Sequence, residues 1–214
     1  MIQAFIFDMD GVIVDSNPLH RVVWSEFNSQ HGITTTDAMF DRMYGKRNDA
    51  VIADFYGDDL PVDEVFRLGA EKEALYREMM RPQLEASLVP GVREFMEAHK
   101  AMPIAVATNA EPANLDFVLD EADLGKYIRF KTNGYEVALP KPAPDIYLKA
   151  AAGLGVEPTG CVVFEDSHSG VAAALAAGMK VVGITTTHAE LPGVSIAIPN
   201  FQDPALAAWL TTLS

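Results

Sequence analysis

A short apolar segment that ends in two aspartates constrains the fold more than any other part of this sequence. Residues 2–7 are mostly apolar and rich in β-branched and aromatic side chains, which is typical of a strand buried on both faces. Asp8, Asp10 and Gly11 follow almost at once. A buried parallel strand delivers such residues to the carboxyl edge of the sheet, where open α/β folds bind ligands. A polar turn that only closes the strand is the alternative interpretation.

The second half of the chain predicts the remainder of a parallel sheet, because strand and helix patterns alternate there. We predict strands at 104–107, 128–131, 161–164, 180–184 and 196–198. We predict helices at 92–99, 112–121, 144–154, 169–177 and 203–213. The pattern indicates an α/β core.

The segment between the first strand and this core contains helical patterns and no convincing strand. Predicted helices cover 17–31, 36–44, 48–56 and 62–80. In the first of them, Asn17 before Pro18 predicts an N-cap, and the predicted apolar face includes Leu19, Val22, Val23 and Phe27. We therefore predict an α/β core domain over 1–15 and 86–214, interrupted by a helical domain over 16–85.

Polar side chains follow three of the predicted core strands, namely Asp8 and Asp10, Thr108 and Asn109, and Glu165 and Asp166. If these strands are neighbours, four carboxylates meet in one crevice and cannot all ionise without a cation. Oxygen ligands with no His or Cys cluster suit a hard cation, for which Mg²⁺ is the default. A helix N-terminus that favours negative charge is the alternative interpretation of Glu165 and Asp166.

Lys141 lies between Pro140 and Pro142, so its backbone is stiff. For an isolated lysine, a solvated loop charge is the simplest interpretation. His168 lies in the helix-start pattern Asp-Ser-His-Ser-Gly and is interpreted as a surface residue of the first turn. Trp24 and Phe27 are interpreted as core residues.

The motifs together resemble those of a known family. Phe-Asp-Met-Asp-Gly-Val-Ile-Val-Asp-Ser at 7–16 resembles the first motif of the haloacid dehalogenase superfamily. The match continues through Thr108-Asn109, Lys141-Pro142 and Glu165-Asp166. Within that superfamily the chain is similar to the β-phosphoglucomutase-like phosphatases and mutases. The resemblance implies a Rossmann-like parallel-sheet core with an inserted α-helical cap, and Mg²⁺ as cofactor.

The resemblance also implies roles for individual residues. Asp8 would be the nucleophile that forms an aspartyl phosphate, Asp10 the general acid and base, and Lys141 the cation that orients nucleophile and phosphoryl group. Thr108, Asn109 and Lys141 would bind phosphate. Asp8, Asp166 and the backbone carbonyl of Asp10 would bind the metal, with Glu165 acting directly or through water.

The resemblance implies that the helical cap covers the site and contacts the substrate. Ser16 and His20 stand where the family has hinge and cap polar residues, and Lys72 matches a cap-helix lysine of mutases. Gly45-Lys46-Arg47-Asn48 resembles the cap loop that reaches substrate, with Arg47 as the expected contact and a register that is ambiguous by one residue. Singly, each is better interpreted as a solvated charge; together they suggest a basic lining.

One departure from the family pattern bears on the reaction. A mutase acting on a bisphosphate holds the distant phosphate with a polar Ser-Lys-Asn type sequence after the second motif. Here the corresponding residues are Ala110, Glu111 and Pro112, which offer no side-chain donor and one repelling charge. This favours a phosphatase acting on a small phosphorylated metabolite, expected to be a sugar phosphate. A sugar-phosphate mutase is the first alternative, and a binding module with an inactive site is the second.

Charge and cysteine content limit the partners and the compartment. The 30 acidic and 16 basic residues give a net charge of −14, which repels nucleic acid and anionic membranes, so neither is an expected partner. An anionic substrate is repelled too, so a phosphate ligand needs a local cation. The single cysteine, Cys161, allows no disulfide within one chain and suits a reducing compartment. The N-terminus enters a strand without a basic segment, so we expect a cytoplasmic protein, and a monomer.

Overall fold

The computed structural model describes residues 1–213 of the chain. Its strands are Ala4–Phe7 (β1), Ile104–Thr108 (β2), Phe130–Asn133 (β3), Cys161–Glu165 (β4), Lys180–Ile184 (β5) and Ile196–Ile198 (β6). Its α-helices are Asn17–Gln30 (α1), Asp37–Met43 (α2), Asn48–Tyr56 (α3), Val62–Met80 (α4), Val92–Ala98 (α5), Pro112–Glu121 (α6), Asp145–Leu154 (α7), His168–Ala176 (α8) and Pro204–Thr211 (α9). Short 3-10 helices cover Arg81–Gln83, Glu85–Ser87, Gly125–Tyr127 and Pro158–Gly160.

The strands form a single parallel sheet in the order β3-β2-β1-β4-β5-β6. In the register, Phe7 at the end of β1 is paired with Val106 of β2 and with Phe164 of β4. The strand order reverses around β1, which is where ligands bind in open α/β sheets. The predicted Rossmann-like core is confirmed.

Alternate residues of β1 bury their side chains on opposite faces of the sheet, as the strand period of two requires. Phe5 and Phe7 pack into the apolar cluster that contains residues of α5, α6 and α9. Ala4 and Ile6 pack into the cluster that contains residues of α7 and α8. Burial on both faces explains why this strand reads as a continuous apolar segment.

The helices α1–α4 have an apolar core of their own, which includes Trp24, Phe27, Phe40 and Ile52. The chain enters and leaves this helical block side by side, because Val14 forms an antiparallel bridge with Leu88. The inserted helical cap is therefore present. Its exact limits, 16–85, stay a prediction.

The first helix departs from the sequence-based expectation in two details. Its N-cap is Ser16 rather than Asn17, because the Asn17 side chain turns away to the Thr187 hydroxyl at 2.5 Å. Val22 is 52% exposed and does not belong to the apolar face. Val23 and Phe27 are buried as predicted, so the apolar stripe of α1 is narrower than predicted by one residue.

Strand β3 begins two residues later than predicted, at Phe130. The 3-10 helix at Gly125–Tyr127 precedes it, and Ile128 and Arg129 connect the two elements. The later start brings Asn133 level with Thr108 at the carboxyl end of β2. The shift therefore aligns the strand ends at the edge where the polar motifs lie.

Candidate active site

The sheet brings the polar motifs to one edge. Asp8 directly follows β1, and its neighbours β2 and β4 end at Thr108 and Glu165. All three side chains are at least nine-tenths buried, as is that of Asp166. A parallel register makes this convergence unavoidable, because the carboxyl ends of adjacent strands coincide.

Lys141 neutralises the buried carboxylates at this edge. Its Nζ lies 2.6 Å from Asp8 Oδ1 and 2.6 Å from Glu165 Oε1. Burial lowers the pKa of Lys141, but the two carboxylates outweigh burial and raise that pKa above its ordinary value. Lys141 is therefore a buried ammonium ion, and its interpretation as a solvated loop charge is wrong.

Glu165 anchors Lys141 and the turn after β4. Its Oε1 also accepts a hydrogen bond from the Tyr147 hydroxyl at 2.7 Å. Its Oε2 accepts from the backbone N–H groups of Asp166 and Ser167 at 2.9 and 3.0 Å. Burial raises the pKa of Glu165, but Lys141 and these donors outweigh it, so that pKa is lowered. Glu165 is thus ionised and its hydrogen bonds position the cation beside Asp8.

The acidic residues around Lys141 suit a hard divalent cation. Within residues 1–213, one carboxylate oxygen each from Asp8, Glu165 and Asp166 lies within 4.8 Å of the others. Burial raises the pKa of Asp8 to about 7 although Lys141 opposes the shift. Burial, reinforced by Glu165 and Asp8, raises the pKa of Asp166 well above its usual range. Carboxylates that resist ionising together are stabilised by a metal ion, and this all-oxygen donor set fits Mg²⁺.

Asp166 is held in place by the loops after β1 and β5. Thr187 donates a hydrogen bond to Asp166 Oδ2 and receives one from Asn17. Gly11 adopts a φ of 78°, and a Cβ at this position would collide with the Asp166 carboxylate. Glycine therefore permits the close approach of the motif loop to the acidic cluster.

Asp10 points away from the acidic cluster, toward the cap. Its Oδ1 accepts a hydrogen bond from Ser16 Oγ at 2.6 Å and lies 3.6 Å from His20 Nε2. Burial raises the pKa of Asp10, but His20 and Ser16, with help from the Lys72 charge, lower it overall. Asp10 is therefore a carboxylate in this state.

A cavity between cap and core opens onto both aspartates. The predicted residues on its wall include His20 and Lys72 from the cap, and Asp8, Asp10, Thr108, Asn109, Lys141 and Asp166 from the core. Ser16 reaches the site only through its hydrogen bond to Asp10. Further cap residues on the wall are Trp24, Met43, Tyr44, Gly45, Lys46, Asn48, Val51 and Glu73. Glu111, the N-cap of α6, and Asn114 of α6 also line it.

Lys72 is buried rather than solvated, with 1% of its surface exposed. Its Nζ donates to Glu73 Oε1 at 2.8 Å and to His20 Nδ1 at 2.9 Å. It also lies 4.8 Å from the ring centroid of Trp24, which is buried as predicted and lines the cavity as well. Because an ammonium group can only donate, His20 Nδ1 accepts and Nε2–H faces Asp10.

The structure does not bring Arg47 to the cavity wall. Arg47 forms an ion pair with Asp49, donates to the Gly134 carbonyl at 3.0 Å, and lies over the Tyr135 ring at 4.5 Å. It therefore connects the cap loop to the loop after β3. Lys46, the preceding residue of the same loop, lines the cavity instead.

The cap loop lies against the end of the site formed by β2 and α8. The carbonyl of Gly45 accepts hydrogen bonds from Asn109 Nδ2 at 2.9 Å and Ser169 Oγ at 3.4 Å. Asn109 Oδ1 is buried and has no hydrogen-bonding partner within the described chain. Thr108 Oγ1 accepts from the Ala110 N–H at 3.1 Å. The Thr108 hydroxyl thus shapes the turn that leads into α6, and the Asn109 amide holds the cap loop.

Comparison with known proteins decides the family. A model of the haloacid dehalogenase-like hydrolases matches residues 2–178. The chain belongs to that family. It is 32% identical to Protein CbbY of Rhodobacter capsulatus over 221 residues, covering 98% of this chain and 96% of the relative. It is 35% identical to the fructose-1-phosphate phosphatase YqaB of Escherichia coli over 184 residues, covering 85% of this chain and 95% of the relative.

A solved structure shows the same haloacid dehalogenase-like fold. The β-phosphoglucomutase of Clostridium difficile superimposes with a TM-score of 0.88, covering 99% of this chain and 96% of that one. The identity is 23%, so this likeness concerns the fold alone. The fold of this chain, its helical cap included, is accordingly shared with that structure.

Sequence reasoning missed several residues that shape this hydrolase site. Tyr147 and Thr187 hydrogen bond to Glu165 and Asp166 from distant parts of the chain. Lys46, which lines the cavity, was not singled out beside its neighbour Arg47. Tyr147 carried a usable signal, because a tyrosine among apolar helix positions needs a partner for its hydroxyl.

His168 is the exposed first residue of α8, as predicted. Its ring stacks on that of His188, with 4.2 Å between the ring centroids.

Among residues 1–213, no helix has the length and apolar content needed to cross a membrane.

Proposed function

We propose that the chain is a Mg²⁺-dependent phosphatase that hydrolyses a small phosphorylated metabolite, in particular a sugar phosphate, through an aspartyl phosphate. The observation that carries this proposal is the environment of Asp8. Its Oδ1 is fixed by Lys141 at 2.6 Å, and its Oδ2 has no hydrogen-bonding partner within residues 1–213. A carboxylate that is held at one oxygen, free at the other and lies on the wall of the cavity between cap and core is suited to nucleophilic attack.

Charge on the reacting group determines the role of Lys141. A phosphate monoester is an anion, and its hydrolysis in water is among the slowest of biological reactions. Attack by Asp8 divides the reaction into transfer to the aspartate and hydrolysis of the aspartyl phosphate. Lys141, kept charged by Asp8 and Glu165, offsets the charge of the transferred group. Mg²⁺, held by Asp8, Asp166 and the Asp10 carbonyl, with Glu165 acting directly or through water, would add positive charge at the same oxygens.

Asp10 is proposed as the proton carrier. In the state described by the structure it is a carboxylate, which is the form needed to activate water in the second step. Protonation of the leaving alkoxide requires that Asp10 first take up a proton. The charge of a bound phosphate opposes the lowering of its pKa by His20 and Ser16, and thus favours this uptake.

Binding of the phosphoryl group is assigned to the turn after β2 and to Lys141. Thr108, Asn109 and the backbone N–H groups that lead into α6 line this part of the cavity. The cap, proposed to cover residues 16–85, would exclude water and contact the rest of the substrate. Ser16, His20 and Lys72 are proposed to connect cap closure to Asp10, since each lies in one hydrogen-bonded series with it.

A phosphatase is favoured over a mutase of the β-phosphoglucomutase type by the start of α6. Ala110, Glu111 and Pro112 replace the donors that a mutase needs for a second phosphate, and Glu111 lines the cavity. The identity to a fructose-1-phosphate phosphatase supports the same choice.

A substrate screen with Mg²⁺ tests the proposal. We expect release of inorganic phosphate from at least one sugar monophosphate without any bisphosphate activator, and none from the Asp8→Asn variant. Conversion of a sugar 1-phosphate into its 6-phosphate, with little free phosphate, would show a mutase instead. Inactivity on the whole panel would contradict both and indicate a binding module.

A further inference from the structure

One wall of the cavity is a continuous series of polar contacts that runs from Asp10 to Glu111. After His20 and Lys72, the series continues through Glu73, whose Oε2 accepts from Asn114 Nδ2 at 2.7 Å. Arg77 NH1 then donates to Asn114 Oδ1 at 2.7 Å and lies 3.3 Å from Glu111 Oε2. Cap helix α4 and the start of core helix α6 thus share one wall of the cavity, and none of its side chains forms a hydrogen bond or ion pair with Asp8 in the part of the chain that the structure describes. We call it the distal wall: Lys72, Glu73, Glu111 and Asn114, together with Arg77, which binds the last two but does not itself line the cavity.

Every cation of the distal wall is already neutralised by a carboxylate. Lys72 pairs with Glu73 at 2.8 Å, and both side chains are almost fully buried. Arg77 pairs with Glu111. A phosphate or carboxylate arriving here would meet two fixed negative charges and no uncommitted positive one. A second anionic group could gain a cation here only by separating one of these ion pairs, of which Lys72–Glu73 is buried and Arg77–Glu111 is partly exposed, so the wall disfavours it.

The distal wall still offers places for hydroxyl groups. Glu111 Oε2 contacts Arg77, whereas its Oε1 has no hydrogen-bonding partner in the part of the chain that the structure describes. The Glu111 side chain is 26% exposed and lies on the cavity surface. Asn48, on the facing cap helix, also lines the cavity. An ionised carboxylate oxygen that accepts from a hydroxyl forms a strong hydrogen bond without any cost in charge repulsion.

The cation without a partner lies toward the other end. Among the cavity-lining cations of residues 1–213, Lys46 forms no ion pair, while Lys141 pairs with Asp8 and Lys72 with Glu73. The preceding Gly45 is hydrogen bonded to Asn109 at the end of β2. The uncommitted charge therefore belongs to a loop that contacts the proposed phosphate-binding turn, whereas the cations of the distal wall are already paired.

We propose that the distal wall selects substrates with one phosphoryl group and an uncharged, hydroxyl-bearing far end, with Glu111 as the residue that excludes a second anion. This inference rests on the proposed phosphatase activity. It assigns a substrate class, a polyhydroxylated monophosphate as opposed to a bisphosphate or a phosphorylated acid, and it assigns a residue that determines the choice.

The test compares matched substrates on matched variants. Phosphate release is measured with Mg²⁺ from sorbitol 6-phosphate, sorbitol 1,6-bisphosphate and p-nitrophenyl phosphate, the last of which has no hydroxyl groups. The variants are Glu111→Ala and Glu111→Lys. Glu121→Lys is the control, because Glu121 lies on the same helix but pairs with Arg81 outside the cavity.

The wild type should prefer the monophosphate over the bisphosphate by about a hundredfold in kcat/KM, and Glu111→Lys should reduce this preference at least about tenfold. Glu111→Ala should lower kcat/KM for sorbitol 6-phosphate about tenfold and leave p-nitrophenyl phosphate nearly unchanged. Glu121→Lys should change neither ratio. Thermal unfolding of each variant confirms that it is folded.

Equal use of the two sorbitol phosphates by the wild type would overturn the inference, and so would an unchanged preference in Glu111→Lys. Failure of the phosphatase proposal looks different, because no substrate would then release phosphate. In that case calorimetric binding of the same two sorbitol phosphates to the wild type with Mg²⁺ still decides the inference. Tighter binding of the monophosphate supports it, and equal or tighter binding of the bisphosphate contradicts it.

Discussion

Replacement of Lys141 by methionine removes the buried cation that holds the site together. The side chains are similar in length, so the change mainly removes charge. Lys141 is 2% exposed, and its partners Asp8 and Glu165 are 10% and 0% exposed. Removing one partner from a buried ion pair typically costs about 3–5 kcal/mol, because the remaining charge stays uncompensated. Because two carboxylates lose their partner, we expect the free energy of unfolding to fall by an amount near the upper end of that range at about pH 8.

The loss should depend on pH in a defined direction. Burial already raises the pKa of Asp8 to about 7 in the wild type, and Lys141 is the largest opposing influence. Without Lys141, the pKa values of Asp8 and Glu165 both rise, so the folded variant binds more protons than the folded wild type near neutral pH. The stability difference therefore grows as pH rises and shrinks as pH falls below about 7.

Urea unfolding of both proteins, without Mg²⁺, at about pH 5.5 and about pH 8 measures this difference. Lys131→Met is the control, since Lys131 forms an ion pair with Asp116 in which both side chains are about half exposed, and its loss should cost under about 1 kcal/mol. The account of the buried charges would be refuted if Lys141→Met lowered the free energy of unfolding by less than about 1 kcal/mol, or by the same amount at the two pH values.

Three further results follow from the geometry. Asp10→Asn should reduce turnover of a sugar phosphate far more than that of an aryl phosphate with an acidic leaving group, and equal losses in a rate comparison would contradict the acid role. Mg²⁺ should bind roughly tenfold more tightly at about pH 8 than at about pH 6, because the raised pKa values of Asp8 and Asp166 make protons compete with the metal. Calorimetry that shows neither a pH dependence of the affinity nor proton release on binding would contradict this prediction. Lys46→Ala should lower kcat/KM for a sugar phosphate about tenfold, and Arg47→Ala should lower it by less. A larger loss of kcat/KM in Arg47→Ala than in Lys46→Ala would indicate that Arg47, not Lys46, contacts the substrate.

Local patterns predicted the core of the site, because its residues follow directly from strand ends. The burial of residues 2–7 and the abrupt change at Asp8 are both visible along the chain. A parallel sheet then brings Asp8, Thr108 and Glu165 together once β2 and β4 flank β1, and that strand order is supplied by the structure. The helical cap was equally predictable, since four successive helical patterns with no convincing strand among them indicate a separate helical block between the first strand and the core.

Contacts between distant segments could not be derived in the same way. Lys72 resembles a solvated charge in sequence, and it is buried only because Glu73, His20 and Trp24 surround it in the folded cap. The choice between Lys46 and Arg47 depends on how Gly45 is hydrogen bonded to Asn109, a contact 64 residues apart. Tertiary packing decides such cases, and no local pattern carries that information.

Whether Asp8 becomes covalently phosphorylated is the central claim, and rapid-quench mass spectrometry of the Asp8 peptide during turnover tests it most directly. With Mg²⁺ and a reactive phosphate monoester, a phosphoryl adduct on Asp8 should form before steady state and decay as phosphate is released. Borohydride reduction of the quenched protein should convert residue 8 into homoserine. Multiple turnovers with no adduct at Asp8, or with the adduct on another residue, would contradict the mechanism.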